Sequence, residues 1–175
     1  MDIISNSLIK IVDTIGYLGP QLLFISSIYF LFDKYTSLAV YFIGFFVNIL
    51  LNIILKSYIQ QPRPSEDKRL FNLEILNGKR IGYDRYGMPS GHAEGVFYST
   101  AFIFLTLKNK WVGLIYLLIS LITSYQRVAY KNHTFSQVFI GGLIGIFMGM
   151  FFYYYSMKIL KGKLREKKDD NAPYY

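Results

Sequence analysis

Long apolar runs broken by short polar segments dominate this chain. A bilayer's hydrocarbon core, about 30 Å thick, takes roughly 20 apolar residues as a helix. Five stretches approach that requirement: about Leu18 to Phe32, Leu38 to Leu55, Ala93 to Leu107, Trp111 to Ile122 and on to Val128, and Val138 to Met157. The first is short and borrows turns from the segment before it. The last carries Gly141, Gly142, Gly145 and Gly149, a spacing suited to close helix packing in lipid. Residues 1–17 differ. Ile3, Ile4, Leu8, Ile11, Val12 and Ile15 recur at helical spacing, with Asp2, Lys10 and Asp13 elsewhere. That pattern predicts an amphipathic helix at the membrane interface. No basic region precedes its apolar residues, so it does not read as a signal peptide.

The expected fold class is therefore an all-α integral membrane protein, with about five transmembrane helices plus the N-terminal amphipathic helix. Residues 1–160 form a single membrane-embedded domain, and 161–175 a basic cytosolic tail. The one long polar segment, residues 56–88, is the loop on the active-site side. Within it, Asn77-Gly78 between Leu73–Leu76 and Lys79–Ile81 signals a hairpin.

Composition narrows the chemistry. The chain has 175 residues, 53% hydrophobic and 17% charged, which excludes a disordered chain. It has no cysteine, so disulfides, thiol nucleophiles and iron–sulfur clusters drop out. Its two histidines, His92 and His133, cannot build a three-histidine metal site. The net charge of +8 suggests an anionic partner, and the apolar runs point to membrane lipid rather than nucleic acid.

Five spans put the termini on opposite sides. Nine basic residues then fall on the side of the tail and ten on the other, of which seven remain once three motif residues are set aside. The tail cluster lies next to a span end, where basic residues weigh most. The expectation is a cytosolic tail, with the long loop facing the lumen or the cell exterior.

Three polar motifs sit at span ends on that lumenal or outer side. They are Lys56-Ser-Tyr-Ile-Gln-Gln-Pro-Arg63-Pro64, Pro89-Ser90-Gly91-His92, and Arg127 through His133 to Gln137. Together they suit a phosphate. Lys56, Arg63 and Arg127 supply three fixed positive charges. Ser90 and Gly91 begin the third span, where free backbone N–H groups and the helix dipole favour an anion. Such donors bind a phosphoryl group without a metal and stabilise its transition state. One histidine can attack phosphorus while the other protonates the leaving oxygen. A nucleophilic imidazole needs its second nitrogen held, and Gln137 stands four residues after His133, on the same helical face. Glu94, two residues after His92, is an accessory candidate. It either faces Arg63, Arg127 or His133, or sits hydrated near the helix end.

These motifs resemble the type 2 phosphatidic acid phosphatase superfamily, which includes lipid phosphatases, glucose-6-phosphatase and vanadium haloperoxidases. The family pattern is Lys-x6-Arg-Pro, Pro-Ser-Gly-His, then Ser-Arg-x5-His-x3-Asp. The first two match in full; the third has Gln126 for the serine and Gln137 for the aspartate. The surroundings of Pro89-Ser90 and of His133–Val138, with Gly141-Gly142, look most like dolichyl-diphosphatase members, where glutamine also stands at the Gln137 position. The resemblance implies the family's helical bundle, no metal or other cofactor, and roles by position. Lys56, Arg63, Ser90, Gly91 and Arg127 hold the phosphate, His92 is the general acid and His133 the nucleophile.

The expected function is hydrolysis of a lipid phosphate or diphosphate through a phosphohistidine, a polyisoprenyl diphosphate being favoured. Phosphatidic acid or another glycerolipid or sphingoid phosphate is an alternative substrate. A non-catalytic lipid-phosphate binder and a phosphotransferase are the other readings. Membrane lipids are the implied surroundings; the oligomeric state is left open.

Overall fold

The computed structural model describes residues 2–64 and 82–163. The expected hairpin around Asn77-Gly78 and the tail beyond Lys163 lie outside the described residues. Five α-helices account for most of the rest: α1 (Asp2–Leu31), α2 (Tyr35–Ile59), α3 (Gly91–Leu107), α4 (Lys110–Ala129) and α5 (Phe135–Lys163). A 3-10 turn, Gly82–Arg85, precedes α3. The described residues contain no strand. The chain is an all-α, multi-pass membrane protein.

Four helices are long and apolar enough to cross a bilayer, in the segments Ile9–Leu31, Tyr35–Ile59, Lys110–Ala129 and Phe135–Lys161. The amphipathic stretch is helical and continues without a break into the first span, so that span does borrow turns from it. The stretch also has a packing partner. Asp13 accepts a 2.9 Å hydrogen bond from Gln126 Nε2 on α4. Gly16 and Gly19 leave no room for a Cβ against Gln126 and Thr123.

The fifth helix, α3, has 17 residues and is the axis of the bundle. It packs on all four other helices. Ala93, Glu94, Val96, Tyr98, Ser99, Phe102 and Ile103 are all buried on it. Enclosure explains its composition: an enclosed helix can carry Glu94, Ser99 and Thr100, because neighbouring helices supply partners. Thr100 Oγ1 meets Ser120 Oγ of α4 at 2.8 Å, and Tyr41 Oη of α2 meets Ser99 Oγ at 2.8 Å. The outer helices turn Ile43, Phe46, Leu50, Ile54, Phe147 and Phe151 outward, as a lipid-facing surface demands.

Glycines set the α3–α5 distance. A Cβ at Gly141 would lie 2.6 Å from Ser90 O, and one at Gly149 2.6 Å from Tyr98 O. At Gly145 it would collide with the carbonyl oxygen of Glu94. The small-residue face of the last span is thus consumed inside the chain, against the helix that starts at the Pro-Ser-Gly-His motif.

Candidate active site

The three motifs converge at one end of the bundle. Lys56 lies in the last turn of α2, and Ser90, Gly91 and His92 at the start of α3. Arg127 lies in the last turn of α4, and Gln137 in the first turn of α5. Arg63 and His133 come from the connecting loops. Lys56, Ser90, Arg127, His133 and Gln137 are all buried.

Asp84, on the 3-10 turn, ties two of the cations together. Its Oδ1 lies 2.9 Å from Lys56 Nζ and 2.9 Å from Arg63 Nη2. The Arg63 guanidinium also donates to the Asp84 carbonyl, to the Asn132 carbonyl (3.1 Å) and to His133 Nε2 (2.9 Å). A flat, five-donor head bonded this many ways is held in one orientation. Arg127 Nη1 donates to Gln126 Oε1 at 3.3 Å, so Gln126 links this cation to α1 through Asp13.

His133 is the best-determined group. Its Nδ1 faces two acceptors, the Gly87 carbonyl at 2.8 Å and Gln137 Oε1 at 3.2 Å. That places the proton on Nδ1 and leaves a lone pair on Nε2, pointing at Arg63. The orientation of the Gln137 amide follows from its own partners. Oε1 accepts from the Thr134 N–H at 3.1 Å. Nε2 donates to Gln61 Oε1 and to the Pro62 carbonyl, each at 2.9 Å. Only an amide satisfies both sides; a carboxylate would face two acceptors at Gln61 and Pro62. Burial, reinforced by Arg63, Lys56 and Arg127, pushes the His133 imidazole down to about 2, so it is neutral throughout the physiological range.

Ser90 caps α3 without using its side chain. Its backbone N–H bonds the Gln137 carbonyl at 3.0 Å, while its hydroxyl is buried with no hydrogen-bond partner. The hydroxyl and the first-turn N–H groups of α3 are donors an anion can use. His92 lies within electrostatic reach of the same three cations, and its ring is 6.5 Å from that of Tyr17 on α1.

Glu94 follows neither of its two expectations. It is fully buried, so it is not hydrated, and its hydrogen bond goes to Asn52 Nδ2 of α2 at 2.6 Å, not to Arg63, Arg127 or His133. The same Asn52 amide donates to the Pro89 carbonyl at 3.3 Å. Sequence reasoning missed Asn52, Asn48 and Asp84. A signal for the asparagines existed: Asn48, Asn52 and Lys56 recur every four residues on the buried face of an otherwise apolar α2. A cavity of about 240 Å³ adjoins His92, between α1, α2 and α3. A larger crevice, about 510 Å³, lies among α3, α4 and α5; Lys110 is its only charged lining residue, and it touches none of the motif residues.

Comparison with known proteins follows the same residues. The profile of the PAP2 superfamily matches residues 37–161, the region that holds every motif residue. Human dolichyldiphosphatase 1 is 26% identical over 133 residues, covering 67% of this chain and 52% of that protein. The Saccharomyces cerevisiae dolichyldiphosphatase is 26% identical over 121 residues, 63% of this chain and 48% of its own. The Arabidopsis thaliana lipid phosphate phosphatase gamma is 24% identical over 125 residues, 65% of this chain and 51% of that one. The chain thus spans about half the length of the curated relatives it matches. No solved structure matches it.

Proposed function

The chain belongs to the PAP2 superfamily, and from that premise we propose that it hydrolyses a lipid phosphate or diphosphate, a polyisoprenyl diphosphate above all, through a phosphohistidine. The observation that carries the proposal is His133. Its Nδ1–H is held by two oxygen acceptors, and its Nε2 lone pair is aimed into a cluster of cations. That is the arrangement an imidazole nucleophile requires.

In the proposed reaction the phosphoryl oxygens take the place of the Asp84 carboxylate among Lys56, Arg63 and Arg127, with Ser90 and the α3 N–H groups completing the cradle. The Nε2 lone pair of His133 bonds to phosphorus. The phosphorus–oxygen bond to the leaving group breaks, and its electron pair stays on that oxygen. His92 supplies the proton that neutralises it. Water, deprotonated by His92, then attacks the phosphohistidine and returns the enzyme with release of inorganic phosphate. The Gly87 and Gln137 oxygens on Nδ1–H stabilise the positive imidazole while it carries the phosphoryl group. A diphosphate gives the monophosphate; glycerolipid and sphingoid phosphates are alternative substrates for the same steps. The site lies on the lumenal or outer side in this reading, with the C-terminal tail in the cytosol.

The test is phosphate release by the purified protein in detergent, on a panel of isoprenyl diphosphates and glycerolipid phosphates with chelator present. Release that survives chelation, with an acid-labile, alkali-stable phosphoprotein trapped on rapid quenching and absent in His133→Ala, is the expected result. Normal release by His133→Ala would remove the mechanism. Binding of the lipid without release would favour the non-catalytic reading, and transfer to an added alcohol in preference to water the transferase.

A further inference from the structure

The cavity beside His92 holds polar groups with no established task. It lies between α1, α2 and α3, with Asn48 and Asn52 of α2 and His92 and Glu94 of α3 in its wall. Asn48 and Glu94 both line it, and both are more than nine-tenths buried. Yet Asn48 Oδ1 and Glu94 Oε1 have no hydrogen-bond partner. Asn52 fixes the Glu94 carboxyl through Oε2, which leaves Oε1 for whatever enters. Two buried polar atoms without partners are costly, and a native protein tolerates them where a ligand satisfies them.

The position of His92 says which part of a ligand that is. His92 belongs both to the cationic end and to the lining of this cavity. In the reaction proposed above, on which this inference rests, the leaving group departs on the His92 side. Beyond Asn48 and Asn52 the wall is Phe45, Ile49 and Ile53, and both isoleucines are more than 40% exposed on the outer, lipid-facing surface of α2. Phe24 of α1 packs on Phe45 of α2, their ring centroids 4.5 Å apart, so the way out of the cavity to the bilayer runs past Ile49 and Ile53. An apolar tail can follow it, while the atoms next to the scissile bond stay between Asn48 and Glu94.

We propose that this cavity is a leaving-group subsite in which Asn48 and Glu94, oriented by Asn52, select substrates carrying a hydrogen-bonding group next to the scissile phosphoester. That group is the proximal phosphoryl of a diphosphate, accepting from the Asn48 amide N–H and from the O–H of a neutral Glu94 carboxyl, or a hydroxyl of a glycerol backbone, donating to the oxygens of the same two side chains; a bare alkyl or isoprenyl carbon leaves both side chains stranded. Sites built to hydrogen-bond a substrate group reject analogues lacking it strongly, by as much as about 10⁴-fold. The subsite would thereby stop reaction of an isoprenyl diphosphate at the monophosphate.

The experiment compares kcat/KM of the full chain in detergent for farnesyl diphosphate, farnesyl phosphate and 1-acylglycerol 3-phosphate. The expected order places the first or the third above farnesyl phosphate by roughly 100-fold or more; which of the two leads identifies the group. Asn48→Leu and Glu94→Leu are expected to collapse that ratio to within a few-fold, while Glu94→Gln restores most of it. The affinity for orthovanadate, which occupies only the phosphate cradle, reports general damage. A wild-type ratio within about threefold overturns the proposal without any variant, as does a large ratio that active leucine variants leave unchanged. A ratio that falls only in step with vanadate affinity overturns it too. Absence of release from every substrate overturns the phosphatase reading itself, and this proposal with it.

Discussion

The two histidine neighbourhoods are built to opposite specifications. His133 is clamped by Arg63, the Gly87 carbonyl and Gln137, and is nearly free of solvent contact. His92, at the open start of α3, is half-buried and makes no hydrogen bond among the described residues; the Tyr17 ring lies 6.5 Å from its own. A nucleophile must be aimed, because misplacement by an ångström is expensive. A group that gives and takes a proton must instead reach both a leaving oxygen and a water. One imidazole is locked and the other left loose, as the two tasks proposed for them require.

The largest expected effects test that division directly. His133→Ala is expected to abolish turnover, by about 10⁴-fold or more, for every substrate, since removing a nucleophile disables the whole reaction. His92→Ala is expected to cost about 10²–10⁴-fold with an alkyl or isoprenyl leaving group. With p-nitrophenyl phosphate, whose leaving group needs no proton, the His92→Ala loss in the phosphorylation step shrinks, while that of His133→Ala does not. Equal losses with both leaving groups would erase the distinction between the two histidines.

Gln137→Asp comes next. Aspartate is the family's usual residue, but here it would lose the donor that Gln61 and Pro62 accept from and set a negative charge against both. Such mismatches cost about 1–3 kcal/mol, so kcat is expected to fall by about ten- to a hundredfold. A gain in kcat would show that the amide is not what holds His133.

Asp84→Asn should act more gently. The Asp84 side chain is 54% exposed, and its bridge to Lys56 and Arg63 competes with an incoming anion. Exposed ion pairs are worth up to about 1 kcal/mol, so vanadate inhibition and KM are expected to improve by up to about fivefold. Weaker vanadate binding would instead make the carboxylate a support for the cations.

The smallest effect is on stability against pH. His133 is held at about 2 in the folded protein, below its unfolded value near 6.5. The unfolded chain then binds the extra proton, so stability is complete above about pH 6.5 and falls as pH drops, by about 1.4 kcal/mol per unit. Between pH 6.5 and 5.5 that lowers the melting temperature by about 2–4 °C. Burial and Arg127 also push the His92 imidazole down, to about 4, so His133→Asn should remove only about half of the limb between pH 6.5 and 5.5 and most of its part below pH 4; an unchanged slope in His133→Asn would contradict the assignment.

Much of this was legible in the chain. The apolar runs predict the helices because a bilayer imposes length and composition directly on sequence. Lys56, Arg63, His92, Arg127 and His133 stand out because charge and imidazole are rare beside such runs. Spacing alone points from Gln137 to His133, and the two side chains lie 3.2 Å apart, but His133 precedes α5, so the contact is made from the loop and not along one helical face. The glycines of the last span announced close packing, but not that its partner is α3 within the same chain.

Other parts were decided only in three dimensions. Asp84 reads as an ordinary loop residue until the 3-10 turn carries it to cations 28 and 21 positions away. Asn52 meets Glu94 across 42 residues, and that pairing, not the sequence near Glu94, takes it out of the catalytic cluster and into the cavity wall. The orientation of the Gln137 amide comes from Gln61 and Pro62, two residues on a different loop. What the sequence determined by itself are features imposed by local physics: helix length, amphipathic spacing, and which residues carry charge. What the tertiary structure decided is which buried polar groups face one another. That depends on helices brought together from distant parts of the chain, and a hydrogen bond specifies its partner only once the two atoms lie about 3 Å apart.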